Sequence, residues 1–249
     1  MATASVSTRP RRLLVINPNT TAALTDDLAR VVQAAQPDDV VVTSVTARFG
    51  APYIASEAGY AVAAHATLNA WATALQRAPA PDAVIIGCFG DPGLFALREV
   101  AHCPVTGLAE GALMEAALHG TCAIITGGHA WKAMLERLLP TLAHGDSVRG
   151  IHTVELDGAA LHAEPEAAER VLLSACAEVL QRWRVDAIVL GGAGLAGLAA
   201  RLQSRVSVPL IDSVTAAARQ IWSAADSRHA GLPRWLRASE TEPHSIADS

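Results

Sequence analysis

The sequence predicts an α/β fold built from two similar halves, each a parallel sheet covered by helices. Residues 82–94 form a short apolar run followed by glycines, and a degenerate copy stands at 186–198, at a spacing of 104 residues (186 minus 82). Such a run before a glycine-rich turn is typical of a buried parallel strand. Two more strand and turn units recur in the same order, 15–20 with 122–129 and 103–107 with 208–212. The chain therefore holds two copies of one folding unit.

The composition supports this fold and argues against some classes of partner. Hydrophobic residues make up 51 % of the 249 residues and aromatic residues only 4 %, so Ala, Val, Leu and Ile must fill the interior, as in helices packed on parallel sheets. The net charge of −5 argues against nucleic acid, which requires a basic surface. No apolar run approaches the roughly 18 residues of a membrane span, so no membrane partner is expected.

The four cysteines predict free thiols. Their spacing fits neither the disulfide framework of a small secreted domain nor a zinc site. They stand at Cys88, Cys103, Cys122 and Cys176. We expect a cytoplasmic protein without a bound metal.

Each element of the first half follows from its local pattern. The apolar run that opens it is stopped by the turn 17–19 (Asn-Pro-Asn), and Thr20 or Thr21 can cap the helix that follows. Asp91 and Pro92 predict a later helix start, with Asp91 as N-cap. The expected strands are 13–16, 40–46, 82–87 and 104–107; the expected helices are 20–35, 56–77, 91–102 and 108–119; a loop at 48–53 is long enough to close over a ligand.

The second half repeats this order. The expected elements are a strand at 122–126, a helix through 131–139, an edge strand at 151–156, an amphipathic helix at 164–183, and strands at 186–191 and 208–212. If a pseudo-twofold axis relates the halves, the carboxyl ends of both sheets meet at one crevice, which is where open α/β folds bind ligands.

Cys88 is the candidate catalytic residue, because it follows a buried strand and precedes a helix. Backbone donors and the helix dipole favour its thiolate, whereas the nearby Asp91 opposes a second negative charge. We therefore expect a thiol that is not fully ionised at neutral pH and that can take and return a proton. A free Cys is in general a small buried hydrophobe, and the other three cysteines, within apolar runs, fit that interpretation. The flanking Gly87 and Gly90 favour function at Cys88.

A second group of candidates is polar and belongs to the turns. Backbone N–H groups and short polar side chains at helix starts can hold a carboxylate or an enolate-like oxygen, although the same residues are also ordinary turn and cap chemistry. The predicted substrate-binding residues are Asn17, Asn19, Thr20, Phe89, Thr126, Gly127, Gly128, His129, Gly192 and Ala193. His129 is a substrate contact, a general acid or base, or a helix cap, of which capping is favoured. Asp212, Glu110 and Thr106 either line the crevice or satisfy backbone donors.

Together these motifs resemble the hydantoin and allantoin racemase branch of the aspartate/glutamate racemase superfamily. The motifs that carry the resemblance are Val-Ile-Asn17-Pro-Asn-Thr20, Ile-Ile-Gly-Cys88-Phe-Gly-Asp-Pro-Gly-Leu94, Pro104-Val-Thr-Gly-Leu-Ala-Glu110, Val-Leu-Gly-Gly192-Ala-Gly-Leu195 and Pro209-Leu-Ile-Asp-Ser-Val214. They span nearly all of residues 13–222. The resemblance implies two pseudo-symmetric flavodoxin-like half-domains with the active site in the cleft between them, a small-molecule substrate, no cofactor, and assembly into homo-oligomers.

The resemblance also implies that each half runs partly into the other. We therefore expect boundaries near residues 103 and 208, with 13–102 plus 208–227 as the first half-domain and 103–207 as the second. Residues 1–12 are expected to be a disordered lead-in. Residues 228–249, rich in Ser, Glu, Pro and His, are expected to be a disordered tail.

The resemblance carries one departure that bears on activity. In the family two cysteines flank the stereocentre of the substrate, one removing the α-proton and the other delivering a proton to the opposite face. Cys88 matches the first, but Gly192 stands where the motif would read Gly-Cys-Ala-Gly. Three functions stay open: racemisation of a 5-substituted hydantoin or related cyclic ureide, one-faced decarboxylation, isomerisation or hydrolysis by a single thiol, and binding of a ureide without catalysis.

Overall fold

The fold consists of two four-stranded parallel sheets with helices packed on them. The computed structural model describes residues 9–155 and 165–223. The first sheet has the order β2-β1-β3-β4 and the second β6-β5-β7-β8, so the two halves share one topology. The strands are β1 (Arg11–Asn17), β2 (Val40–Thr46), β3 (Ala83–Ile86), β4 (Val105–Gly107), β5 (Cys122–Gly127), β6 (Val148–Val154), β7 (Ala187–Gly191) and β8 (Leu210–Asp212). The predicted α/β class, the parallel sheets and the internal repeat are confirmed.

Of the α-helices in the described residues, the first six lie close to their predicted ranges, and the last two were not predicted. The helices are α1 (Ala22–Ala34), α2 (Glu57–Arg77), α3 (Leu94–Val100), α4 (Leu108–Ala116), α5 (Ala130–Leu138), α6 (Pro165–Arg182), α7 (Leu198–Leu202) and α8 (Ser213–Gln220). Ser56 caps α2 by accepting a hydrogen bond from Gly59 N at 3.1 Å. Ala63, Ala66 and Ala70 are buried in α2, which packs on β1 and β2.

The repeated aspartate at the start of β3 and β7 has a structural role. Asp82 accepts a hydrogen bond from the backbone N–H of Arg12 in β1, and Asp186 accepts one from the N–H of Thr121 next to β5, each at 2.8 Å. Burial would raise the pKa of Asp82, but the hydrogen bonds from the Arg9 side chain and the Arg12 N–H hold it below its usual value. The N–H and hydroxyl of Thr121 likewise hold the pKa of Asp186 below its usual value against desolvation. Each aspartate thus connects its strand to the neighbouring strand at the amino ends of the strands, the end of the sheet opposite the cavity.

Two helices, α4 and α8, pack against elements of the other half. β4 pairs with β3 and β8 pairs with β7, but α4 packs against β7 and β8, and α8 packs against α1. Gln36, after α1, donates a hydrogen bond to Ala218 O in α8 at 2.6 Å. β4 and β8 therefore pair within the sheets of the halves that precede them, and the helices after them, α4 and α8, pack across both halves. The division near residues 103 and 208 stays a prediction.

The lead-in is shorter than expected. Arg11 and Arg12 belong to β1, and Arg11 pairs with Asp39 while its N–H donates to Asp39 O at 2.8 Å. The prediction of disorder through residue 12 is therefore wrong for these two residues, because strand pairing satisfies their backbone groups. The rest of the predicted lead-in before residue 9, and the predicted tail, lie outside the described residues.

Candidate active site

A cavity of about 160 Å³ lies between the carboxyl ends of the two sheets. Both halves line it, as the predicted cleft requires. Its lining comprises Asn19, Thr21, Ala23, Leu24, Pro52, Tyr53, Ile54, Gly87, Cys88, Phe89, Thr126, Gly127, Trp131, Gly191, Gly192, Ala193, Gly194 and Leu195. Among these described residues there is no Asp, Glu, Lys, Arg or His, so the cavity suits a neutral ligand with an apolar part.

Cys88 stands on the first-half wall of this cavity, two residues beyond the end of β3. It is partly buried, whereas Cys103, Cys122 and Cys176 are buried and do not line the cavity. Burial, and secondarily the negative charge of Asp91, raise the pKa of the Cys88 thiol far above its ordinary value. This shift favours the neutral thiol at neutral pH, so the site must stabilise any thiolate that forms.

Asp91 does not cap the helix that follows it. α3 begins only at Leu94, after Gly93 in the left-handed conformation (φ 84°), and Asp91 itself has φ 53°. Its buried carboxylate instead accepts hydrogen bonds from the N–H groups of Ala109 and Glu110 in the first turn of α4, each at 2.8 Å. The predicted N-cap is thus a cap for another helix, because the loop turns the side chain away from its own helix. Burial raises the pKa of Asp91 to about 7.

Further contacts fix the backbone of the loop that carries Cys88. The N–H of Asp91 donates to Cys88 O at 3.1 Å, and the hydroxyl of Tyr60 donates to Gly90 O at 2.7 Å. A Cβ on Gly90 would lie 2.4 Å from Cζ3 of Trp131, so only glycine allows α5 to pack this closely. The thiol therefore sits on a loop held by α2, α4 and α5.

The second-half wall presents backbone where the family motif has a cysteine. Gly192 has φ 154°, a conformation that favours glycine, and its N–H donates to Ser213 Oγ at 3.2 Å. A Cβ on Gly191 would lie 2.4 Å from Cε1 of Phe89, whose ring crosses from the first half. Cys88 and Gly192 line one cavity from opposite halves, but Gly192 offers no side chain that could carry a proton.

Asn19 lines the cavity with a side-chain amide that hydrogen bonds hold in place. Its Oδ1 accepts hydrogen bonds from Asn17 Nδ2 and from the N–H of Thr21, both at 2.9 Å. These two donors fix which end of the amide is oxygen. Among the described residues Nδ2 of Asn19 has no hydrogen-bond partner, so it is available as a donor to a ligand.

Several predicted site residues lie behind the cavity rather than on it. Asn17 is fully buried, and its Nδ2 also donates to Thr25 Oγ1 at 3.0 Å. Thr20 donates its N–H to Ala51 O at 3.2 Å. His129 is exposed and its Nδ1 lies 3.1 Å from Thr153 Oγ1, at the end of β6. These three, with Gly128, do not line the cavity, whereas the other predicted residues do.

The three acidic or hydroxyl candidates near β4 and β8 satisfy other groups. Asp212 accepts hydrogen bonds from the N–H groups of Val214 and Gly197, at 2.9 and 2.5 Å. Glu110 pairs with Arg98 and accepts a hydrogen bond from Thr106 Oγ1. The second predicted alternative, satisfying backbone donors, therefore holds for Asp212, whereas Glu110 and Thr106 bond to side chains, and none of the three lines the cavity.

Sequence reasoning missed two aromatic side chains of the cavity. Tyr53 lies in the loop that was expected to close over a ligand, and the structure places it in the lining. Trp131, in α5, also lines the cavity and meets Tyr60 edge to face at 6.4 Å between ring centroids. In the sequence, only its place in the predicted loop pointed to Tyr53 as a cavity residue. Nothing pointed to Trp131 except its position in a predicted helix.

Within 9–155 and 165–223, the helices are too short or too polar to cross a bilayer. Over the same ranges no group of three or more His, Cys, Asp or Glu side chains is arranged to hold a metal ion.

Comparison with known proteins identifies the family. Residues 13–221 match the family described as Asp/Glu/Hydantoin racemase. The chain is 33 % identical to the hydantoin racemase of Paenarthrobacter aurescens over 209 residues, which cover 84 % of this chain and 88 % of that protein. It is 35 % identical to the hydantoin racemase of Rhizobium meliloti, over 82 % of this chain and 85 % of that one.

A solved structure agrees over almost the whole chain. Allantoin racemase from Klebsiella pneumoniae superposes with a TM-score of 0.81 at 31 % identity, covering 93 % of this chain and 95 % of that one. The chain therefore belongs to the Asp/Glu/Hydantoin racemase family, and within this family of enzymes it groups with the hydantoin and allantoin racemases.

Proposed function

We propose that the protein racemises a 5-substituted hydantoin or a related cyclic ureide by proton transfer at C5, with Cys88 as a proton-transfer group. The observation that carries this proposal is the position of Cys88 on the wall of a cavity shared by both halves. The similarity of the whole chain to hydantoin and allantoin racemases supports a ureide as the class of substrate.

The lining favours a neutral ring over a free amino acid. A zwitterionic amino acid would bring a carboxylate and an ammonium group into a cavity whose described lining has no opposite charge, and unpaired buried charges are costly. A hydantoin is uncharged at neutral pH. Its amide edges can bond to Asn19 and to backbone groups, while its 5-substituent can lie against Leu24, Ile54 and Trp131.

The chemistry uses the properties of the thiol. Cys88, once ionised, takes the C5 proton, and the electron pair of the broken C–H bond moves onto the adjacent carbonyl oxygen. Asn19 Nδ2, oriented by its fixed Oδ1, donates a hydrogen bond to that oxygen as charge develops on it. Return of a proton from the neutral thiol to the same face of C5 restores the starting configuration. Inversion requires that a proton from solvent or from another group reach the opposite face.

A second candidate is supported by Gly192. With no side chain there, a reaction confined to one face, such as isomerisation or hydrolysis through the Cys88 thiol, needs only groups that line the cavity in the described residues. Binding of a ureide without catalysis is the remaining alternative.

One experiment separates these functions. Each enantiomer of a 5-alkylhydantoin is incubated with the protein in deuterated water, C5–H is followed by NMR, and optical configuration by chiral chromatography. Exchange with inversion supports racemisation. Exchange with retention supports one-faced chemistry, and absence of exchange together with a ligand-induced rise in Tm supports a binding protein.

A further inference from the structure

We propose that Tyr53 is the second proton-transfer residue and acts on the face of C5 opposite Cys88. This inference rests on the proposed function. Tyr53 lies on the loop after β2, and we assign to it the proton transfer that Gly192, which has no side chain, cannot perform.

The position of the Tyr53 hydroxyl supports this role. Tyr53 lines the cavity, and its hydroxyl donates to Gly127 O at 3.4 Å. Gly127 ends β5, and the preceding Thr126 is paired in register with Gly191 of β7. The phenol therefore reaches from the first half onto the wall formed by β5 and β7, which is the wall that Gly192 continues and that faces Cys88.

The other described groups on that wall do not offer a titratable proton. Thr126 donates its hydroxyl to Gly191 O at 2.7 Å, so its proton is already engaged. Gly192, Ala193 and Gly194 contribute no proton-carrying side chain. His129 is turned toward Thr153, outside the lining. Of the side chains that line the cavity in the described residues, Cys88 and Tyr53 are the two with an ionisable proton.

The loop holds Tyr53 at a defined place. Thr21 Oγ1 donates to Pro52 O at 2.8 Å, and the adjacent Ile54 is 2 % exposed. The hydroxyl of Tyr53 thus lies 3.4 Å from Gly127 O, on the wall of the cavity that belongs to the second half. A ring held in the lining with its hydroxyl on this wall is the placement expected of a proton donor to the face of C5 opposite Cys88.

The reaction balances with these two groups. In one direction the Cys88 thiolate takes the proton from C5, and the electron pair moves onto the carbonyl oxygen. The new C–H bond forms on the opposite face with the proton of Tyr53, which leaves a phenolate. Solvent then protonates the phenolate and the thiol releases its proton, which restores the starting state. In the other direction the phenolate takes the proton and the Cys88 thiol delivers one.

The test is Tyr53→Phe, which removes the hydroxyl and keeps the ring. We expect inversion to fall by about 10²-fold or more, the usual effect of losing a general acid or base. The enantiomer whose C5–H faces Cys88 should still exchange its proton for deuterium, with retention. Arg48→Ala, an exposed change in the same loop, is the control and should keep inversion.

The outcomes separate this inference from the proposed function. Unchanged inversion in Tyr53→Phe would overturn the inference, and so would a parallel loss of exchange of both enantiomers with weaker hydantoin binding, because that pattern means a positioning role. If the wild-type protein neither exchanges nor inverts any 5-alkylhydantoin, the proposed function itself fails.

Discussion

The carboxylate of Asp91 occupies the place where a side chain on Gly107 would lie: a Cβ on Gly107 would be 2.1 Å from Asp91 Cγ. From there Asp91 accepts the N–H groups of Ala109 and Glu110, two and three residues after Gly107. In the second half the capping carboxylate belongs to Asp212, the last residue of β8. Asp212 accepts hydrogen bonds from the N–H groups of Val214 and Thr215, two and three residues further on. The same type of helix cap is thus supplied by Asp91 for α4 and by Asp212 for α8. The Asp91 cap also connects the loop that carries Cys88 to α4.

This relationship predicts a compensating pair of substitutions. Asp91→Gly should lower the free energy of unfolding by about 1 kcal/mol or more through loss of the cap. Gly107→Asp alone should cost more, because two carboxylates would share one space. The double variant Asp91→Gly/Gly107→Asp should regain stability, since the new carboxylate caps α4 as Asp212 caps α8. Urea unfolding of the four proteins measures the coupling, and strictly additive losses would contradict the relationship.

The raised pKa of Asp91 predicts a pH dependence of stability. A carboxyl that keeps its proton up to about pH 7 in the folded state releases it near pH 4 in the unfolded chain, so the native state binds more protons in between. The contribution of Asp91 to the free energy of unfolding should therefore fall as pH rises from about 4 to 7, by up to about 4 kcal/mol, since each of the roughly three pKa units corresponds to about 1.4 kcal/mol. Urea titrations at pH 5 and pH 8 check this, with Asp91→Asn as the control that should lose the decline. Equal pH slopes in the two proteins would refute it.

The raised pKa of Cys88 predicts an alkaline rate profile. Because the thiol is neutral at pH 7, the thiolate fraction should rise about tenfold per pH unit below its pKa. Rates of C5–H exchange for the enantiomer that faces Cys88 should follow this rise between pH 7 and 9. Asp91→Asn removes the neighbouring charge and should shift the rise to lower pH. A flat profile in the wild-type protein would show that the thiolate is already formed.

The packing of Phe89 on Gly191 predicts a steric effect on binding. Gly191→Ala places a Cβ 2.4 Å from the ring, which must then move toward the cavity. We expect hydantoin affinity to drop at least about tenfold and stability to fall by roughly 1–3 kcal/mol. Phe89→Ala removes a buried ring and should itself cost roughly 3–5 kcal/mol, but Gly191→Ala should cost less in that background than in the wild-type protein, because the ring it meets is gone. Calorimetric titration and thermal unfolding of the single and double variants measure both effects, and unchanged affinity in Gly191→Ala would be evidence against this packing.

Much of the fold and part of the site could be predicted from sequence for identifiable reasons. The apolar runs before glycine turns and their repetition fix strands that are buried on both faces, and the Cys88 loop follows from the same pattern. Asp91 was misplaced as a cap because the helix it serves is close in space but 17 residues later (108 minus 91) in the chain. Local propensity carries no information on such a contact.

The same limit applies to Tyr53 and His129. Tyr53 reaches Gly127 across the cleft, a relation set by how the halves pack and not by any pattern around residue 53. His129 follows the expected turn, but the direction of its side chain, toward Thr153, depends on the neighbouring strand. Gly192 was predicted from the sequence to face Cys88. The structure gives Gly192 a φ of 154°, a backbone conformation in which a cysteine would be strained.

The most direct test of the central claim is C5–H exchange in deuterated water by the wild-type protein and by Cys88→Ser, with Cys103→Ser as the control. If Cys88 transfers the proton, Cys88→Ser should lose about 10²-fold or more in exchange of the enantiomer that faces it. Cys103 does not line the cavity, so its variant should keep the wild-type rate. Exchange at the wild-type rate in Cys88→Ser would contradict the assignment of Cys88.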